Sequence, residues 1–146
     1  MIDRAFTGKA LPKSILTIEA GRLNFFARAI GETNPIYLDE AAAKAAGHSS
    51  LPAPPTFIFA VELDAGAMAR ALVEMGVRLN RVLHGEQSFT YHAPVYAGDT
   101  ITVETRIGDI YDKRGGALEF IELNSSATNQ HGKPVADIRA VVVVRN

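Results

Sequence analysis

The chain has 146 residues, a length that suits one domain around one buried core. Its formal net charge of −1 carries none of the positive footprint of a nucleic-acid binder, and the absence of cysteine excludes disulfides, a thiolate nucleophile and zinc–thiolate sites. No apolar run approaches the ~20 residues of a membrane-spanning helix, and the opening MIDRAFTGKA has no apolar signal core, so a cytoplasmic protein with no nucleic-acid or membrane partner is expected.

In chain order, residues 1–18 read as extended, with a short strand at Ser14–Ile18. A helix follows from about Glu19 to Ile30, because Leu23, Phe26, Ala27 and Ile30 repeat at helical spacing while Arg22 and Arg28 fall elsewhere. Gly31 stops it. Asp39 is placed to cap a small alanine-rich helix that ends at Gly47. The loop SSLPAPP is stiffened by Pro52, Pro54 and Pro55. A third helix starts at Thr56 in TFIFAVELDAGAMARALVEM. Its first turns are apolar on nearly every side, which predicts a helix buried all round, and Gly66 is where it would kink or divide.

The second half changes character. Val82–His92 reads as a strand, and Ala97–Asp99 as a turn. Ile101, Val103, Thr105 and Ile107 alternate with polar residues, the pattern of a half-buried strand. Gly115-Gly116 marks another turn, Ala117–Thr128 a further strand, NQHGKP a loop, and Val135–Arg145 a last β-branched strand. Helices followed by antiparallel strands with short turns predict a single α+β domain over residues 1–146, in which one curved antiparallel sheet wraps a central helix.

Three separated stretches then carry a family likeness. FARAIGETNPIYLDEAAAKAAG, LPAPPTF and HGEQSFTYHAPVYAGDTI, in that order, resemble the MaoC-like hydratase/dehydratase superfamily. They are most similar to its N-terminal FAS1-like dehydratase branch, which includes subunits of mycobacterial-type 3-hydroxyacyl-ACP dehydratases. The likeness runs from about Glu19 to the end of the chain. It implies a hot-dog fold, a dimer, and an acyl thioester bound in a tunnel at the subunit interface. Active members of the family add water to a trans-2-enoyl thioester or remove it from a 3-hydroxyacyl thioester. Their motif is Asp-x-Asn-Pro-x-His, whose acid and imidazole hold the water and move its proton. A backbone N–H at the start of the central helix stabilises the thioester oxyanion.

In this chain the motif reads Glu32, Thr33, Asn34, Pro35, Ile36, Tyr37. Glu32 stands in the aspartate position and Tyr37 in the histidine position. Neutral imidazole accepts a proton near pH 7, whereas a tyrosine hydroxyl with a reference pKa of about 10 is a poor base there. The extra methylene of Glu32 moves its carboxylate by roughly a bond length, and misplacement by ~1 Å can cost ~100-fold in rate. Two alternatives follow. In one, Glu32 and Tyr37 form a variant dyad, with Glu32 as base and Tyr37 and Asn34 orienting the water. In the other, the site binds the acyl group while a partner subunit carries the true dyad.

The remaining candidates are weighed by position. Pro55 suits a helix start, where its missing N–H does no harm, and Thr56 offers its own N–H to developing negative charge, although plain helix initiation explains the pair equally well. Glu62 and Asp64 lie on the predicted buried helix. Hot-dog thioesterases often place a catalytic carboxylate there, and the simpler alternative is an acid that faces solvent or meets an arginine. His48, next to the motif loop, is the preferred substitute for the missing histidine. His84 and His92, eight apart, would share a face in a regular strand, and His131 sits in a turn. None of the four makes a metal-ligand pair. Arg78 and Arg81 suit either coenzyme A phosphates or plain solubility. Gly98-Asp99 is assigned a turn, and Ser49-Ser50 has no nearby base pattern. No glycine-rich nucleotide motif follows a strand, so no cofactor is expected.

The expectation is therefore an acyl-CoA or acyl-ACP hydratase/dehydratase of the MaoC type, or its acyl-binding subunit, with an acyl-CoA thioesterase as the rival. It works as a homodimer or as a heterodimer with another hot-dog chain. The candidate site is Glu32, Asn34 and Tyr37 for catalysis, with Pro55, Thr56 and His48 for substrate and oxyanion.

Overall fold

The computed structural model describes residues 1–146. Five strands form one antiparallel sheet: β1 (Ser14–Thr17), β2 (Val82–Tyr91), β3 (Thr100–Lys113), β4 (Leu118–Thr128) and β5 (Pro134–Arg145). Their order is β1-β3-β4-β5-β2. The helices precede all but the first strand: α1 (Ala20–Ala29), α2 (Glu40–Ala45), α3 (Ile58–Ala65) and α4 (Ala67–Glu74).

The alternation read in β3 carries across the sheet. Val103, Thr105 and Ile107 stand opposite Ala127, Ser125 and Leu123 of β4, and those three stand opposite Ala136, Ile138 and Ala140 of β5. All nine are buried on one face, as a period of two requires when one face meets the helices. That face holds two apolar clusters. One joins Leu23 of α1 and Phe57, Ile58 and Val61 to Ile101, Val103, Val135 and Ile138. The other joins Ala71, Leu72 and Met75 of α4 to Ile107, Ile110, Ile121 and Val142.

A polar knot separates the clusters. Glu62 of α3 is buried, and its Oε1 accepts hydrogen bonds from Thr105 Oγ1 at 2.6 Å and Ser125 Oγ at 2.5 Å. The two hydroxyls lie 2.9 Å apart. Thr105 sits between Val103 and Ile107, and Ser125 between Leu123 and Ala127, so the knot lies at the seam. It ties the central helix to the neighbouring strands β3 and β4, and the hydroxyl donors meet the requirement that a buried carboxylate be hydrogen-bonded.

The third helix divides at Gly66 as expected, but it differs from its sequence expectation in its start and its burial. Its apolar start is a 3₁₀ turn, Pro55–Phe57, and Gly66 at φ +65° ends α3 in the left-handed region and begins α4. The helix is not buried all round, since Leu63 is 51% exposed and Val73 59%. Overall apolarity hides the fact that a helix lying on one sheet keeps a solvent side. Ile30 also points out to solvent, because α1 ends at Ala29. In β2 the register shifts between His84 and Glu86. Gly85 sits at this bulge, where a Cβ would lie 2.6 Å from Val143 Cγ2 and 3.0 Å from the Val141 carbonyl oxygen. The shift removes the parity that would place His84 and His92 on one face. His84 packs on Phe59 and bonds Gln87, whereas His92 bonds Asp137 at 2.8 Å.

A second buried carboxylate clamps the chain ends. Glu119 accepts the Ile2 N–H at 2.6 Å and the Asn146 amide at 2.6 Å. Burial alone would raise its pKa, but the Asn146 and Ile2 hydrogen bonds, with help from the N-terminus and Arg4, hold it below 4.5.

Two outcomes are expected. Thr105→Val, which keeps the shape and removes one donor to Glu62, lowers the unfolding free energy by about 1–3 kcal/mol in urea titrations. Because the folded pKa of Glu119 is depressed, its contribution is complete above pH 4.5 and is lost as pH falls through the folded value. The acid-side loss of stability is therefore shallower in Glu119→Gln than in the parent chain.

Candidate functional site

The site is assembled by local backbone chemistry. After α1, Gly31 at φ +74° turns the chain back. Glu32 Oε1 then accepts the N–H groups of Thr33 and Asn34, both at 2.9 Å. Asn34 caps the 3₁₀ turn Pro35–Tyr37 by accepting the Ile36 N–H at 3.2 Å. Asn24 of α1 donates to the Leu38 carbonyl at 2.6 Å and holds this loop against the helix. Asp39 caps α2, accepting the Ala42 N–H at 2.7 Å, as expected from sequence.

The proline loop is fixed by pairing with the segment after β2. The Ala53 N–H bonds the Val95 carbonyl at 2.8 Å, and the Ala97 N–H bonds the Leu51 carbonyl at 2.9 Å. This brings His48 to Tyr96, with Nδ1 3.1 Å from the phenol oxygen. Asp99 Oδ2 holds the Tyr96 N–H at 2.9 Å, so the Gly98-Asp99 turn is structural and supports that contact.

Between these loops, the start of α3 and the sheet lies an apolar cavity of about 190 Å³. Tyr37, His48, Pro55, Ile58, Tyr91 and Val135 line it, together with Pro52, Ala53 and Pro54 of the proline loop. Ile58 and Val135 are buried and belong to the core. Burial pushes the Tyr91 phenol above its ordinary pKa, so it is a neutral hydroxyl at neutral pH. An apolar concavity with a few convergent polar tips is the usual form of a small-ligand site. A wider groove of about 660 Å³ lies on the outer face of the sheet. Its lining is mostly polar and charged, with Lys13 paired to Glu104 and Arg139 to Glu86 and Glu122, so it offers nothing comparable to an apolar ligand.

The structure thus brings together Tyr37, His48 and Pro55 from the sequence-predicted set. Thr56 is exposed and lines no cavity wall, although it lies in the turn between Pro55 and Ile58. Glu32 and Asn34 are also outside the lining, and each is engaged with the backbone of its own loop. Glu62 is buried in the core knot, and Asp64 pairs with Arg22, so neither acid reaches the cavity. No three side chains of His, Asp or Glu converge on a metal-sized space. Sequence analysis did not single out Tyr91, Val135 or Ala136. They approach the cavity from β2 and β5, and no local pattern announces contacts across such a distance in the chain.

Comparison with known proteins places this geometry in a family. Residues 5–138 match the model of the FAS1-like dehydratase domain region, and the chain belongs to that family. More particularly, it is 34% identical to a UPF0336 protein of Streptomyces avermitilis over 99% of this chain and 95% of that one. Among solved structures, it superposes on a chain of the C-terminally truncated HadBC (3R-hydroxyacyl-ACP dehydratase) complex from Mycobacterium tuberculosis. The TM-score there is 0.80 at 24% identity, covering 94% of this chain and 96% of that one. It is also similar to the MaoC-like dehydratase from Rhodospirillum rubrum, with a TM-score of 0.67 at 26% identity, covering 96% and 92%. The fold is the hot-dog fold of the MaoC-like dehydratases.

Glu32→Ala removes the acceptor for two loop N–H groups. It is expected to lower stability by about 1 kcal/mol and to raise amide exchange at Thr33 and Asn34. Unchanged exchange at both positions would contradict this loop-capping role.

Proposed function

We propose that the chain binds the acyl group of an acyl thioester in the cavity at the start of α3. It would act as a subunit of a MaoC-type hydratase/dehydratase that adds water across, or removes it to form, a 2,3 double bond. The observation that supports this most is the meeting of Tyr37, which occupies the family's histidine position, with the proline loop on the wall of one apolar cavity. At this helical start Pro54 and Pro55 carry no N–H and the Phe57 N–H bonds the Pro54 carbonyl at 2.9 Å, so the Thr56 N–H is the donor that would meet the thioester oxygen as its charge develops.

Water addition also needs a group to take the water proton while oxygen bonds C3, and to return a proton to C2. Glu32 supports that role poorly, because its carboxylate already accepts two backbone N–H groups. The tyrosine hydroxyl is a weak base near neutrality. We therefore favour the form in which a second hot-dog chain with Asp-x-Asn-Pro-x-His supplies the proton transfer. The arrangement of the structurally similar HadBC complex as two different subunits fits this form. The thioesterase alternative loses support, since Glu62 and Asp64 both lie away from the cavity.

The test follows loss of enoyl absorbance from crotonyl-CoA and a longer enoyl-CoA, with thiol release in parallel. The chain is assayed alone and after co-expression with a dyad-bearing hot-dog chain from the same genome. Hydration without thiol release is expected only in the co-expressed complex, and Glu32→Gln should leave it within about threefold. Hydration by the chain alone that falls ~100-fold or more in Glu32→Gln would instead establish the Glu32/Tyr37 dyad.

A further inference from the structure

We propose that one end of the outer sheet face is a docking surface for an anionic lipid bilayer. It is separate from the thioester site and does not depend on it.

Strand register builds the surface. Tyr111 of β3, Phe120 of β4, Val143 of β5 and Leu83 of β2 stand in one row across the sheet. Their chain neighbours Ile110, Ile121 and Val142 are buried in the core, so this row faces outward. All four are at least partly exposed, and Leu83 is 45% exposed. The next row toward the strand ends is Lys113, Leu118 and Arg145, on the same face by the period of two. Arg114 follows Lys113 in the turn to β4. Arg81 stands beside Arg145, since the residues next to them, Val82 and Val144, are paired. Arg78 and Arg81 flank the exposed Leu79 of the 3₁₀ turn Leu79–Arg81.

These cations have no acid to neutralise them. Lys9, Lys13, Lys44 and Arg139 elsewhere pair with carboxylates, but Arg78, Arg81, Lys113, Arg114 and Arg145 do not. The acids at this end are committed. Glu119 holds the Ile2 N–H and the Asn146 amide, and Asp112 pairs with Arg4. Glu86 and Glu122, the next acids along the outer face, both pair with Arg139. Positive charge is thus concentrated at one end of a chain whose net charge is −1. Arg114 is also the one non-glycine residue with positive φ, at +55°. Glycine adopts that conformation at less cost, so the turn carries a cation where backbone energy favours none.

The apolar row and the cations together select the partner. Tyr111 and Phe120 stand parallel, with centroids 4.9 Å apart and planes at 1°. One face of each ring is taken by the other, and Lys113 Nζ lies over both, 4.8 Å from the Phe120 centroid. Such a pair is a poor platform for stacked nucleobases. Aromatic rings beside long basic side chains suit the headgroup layer of a bilayer, where the stem is apolar and the tip is wet. Attachment there sums buried apolar area and attraction to anionic lipids. That no helix is long and apolar enough to cross a membrane bears on insertion, not on contact with the surface. The cavity stays free in this arrangement, because Tyr91 and Val135 lie at the opposite ends of β2 and β5.

The experiment is co-sedimentation of the protein with vesicles of phosphatidylglycerol mixed with phosphatidylcholine, and with vesicles of phosphatidylcholine alone. Binding is expected to the mixture only, and to weaken as salt rises. A basic residue near an anionic surface strengthens binding by about fivefold, so the double variant Arg114→Gly/Arg145→Gln should bind about 25-fold more weakly. Arg114→Gly relieves the positive φ, and an unchanged thermal unfolding midpoint will show that the variant is folded. Leu83→Ser should weaken binding at every salt concentration, since the apolar contact is not screened. Lys44→Gln/Lys133→Gln removes two charges away from this end and should bind as the parent does. No binding to the mixture, an equal loss in the Lys44/Lys133 pair, or binding to heparin without binding to vesicles would each overturn the proposal.

Discussion

The hydrogen bonds from Thr105 and Ser125 to Glu62 fix the position of the central helix. Apolar contacts alone hold a helix on a sheet but tolerate sliding, since most of their energy is non-directional. A buried carboxylate that must find its donors tolerates little. The knot lies on the seam between the two core clusters, so it sets both the height and the rotation of α3. The start of that helix then comes to rest against Val135 and Ala136 of β5 and the proline loop. The cavity is the space left between that helix start, the sheet and the two loops that carry Tyr37 and His48.

Within this frame the motif loop has a double character. Glu32 and Asn34 give their oxygens to backbone N–H groups and shape the turn. Tyr37, at the end of the same turn, is the side chain delivered to the cavity. The residue types of the family motif are thus divided between building the loop and facing the cavity. A histidine and aspartate pair would put titratable chemistry on the wall. This chain has the Tyr37 phenol from the motif instead, and the His48 imidazole arriving from a different loop.

Much of the fold was legible in the sequence because its signals are local. The period of two in β3, the β-branched run of β5, the Asp39 cap and the glycine stops each depend on a few adjacent residues. The division at Gly66 was visible for the same reason. The solvent side of α3 was not, since nearly continuous apolarity does not say how many neighbours a helix has. The bulge at Gly85 was also hidden, because the clash that demands glycine comes from Val143 and Val141 on another strand. For the site, the sequence named Tyr37, His48 and Pro55, which do meet at the cavity. It could not show that the Glu32 carboxylate turns back on its own loop, or that Tyr91 and Val135 complete the wall. The Thr105–Ser125 donors to Glu62 were beyond reach for the same reason, as each looks in sequence like an ordinary strand residue.

The most direct test of this account is a crystal structure of the protein bound to a non-reactive acyl-CoA. The account predicts the acyl chain between Tyr37 and Val135, the thioester oxygen near the Thr56 N–H, and the Glu32 carboxylate still on the Thr33 and Asn34 N–H groups. An acyl chain elsewhere, for instance on the outer face of the sheet, would contradict the assignment of the cavity. A Glu32 carboxylate turned onto the thioester would contradict the division of labour within the motif loop.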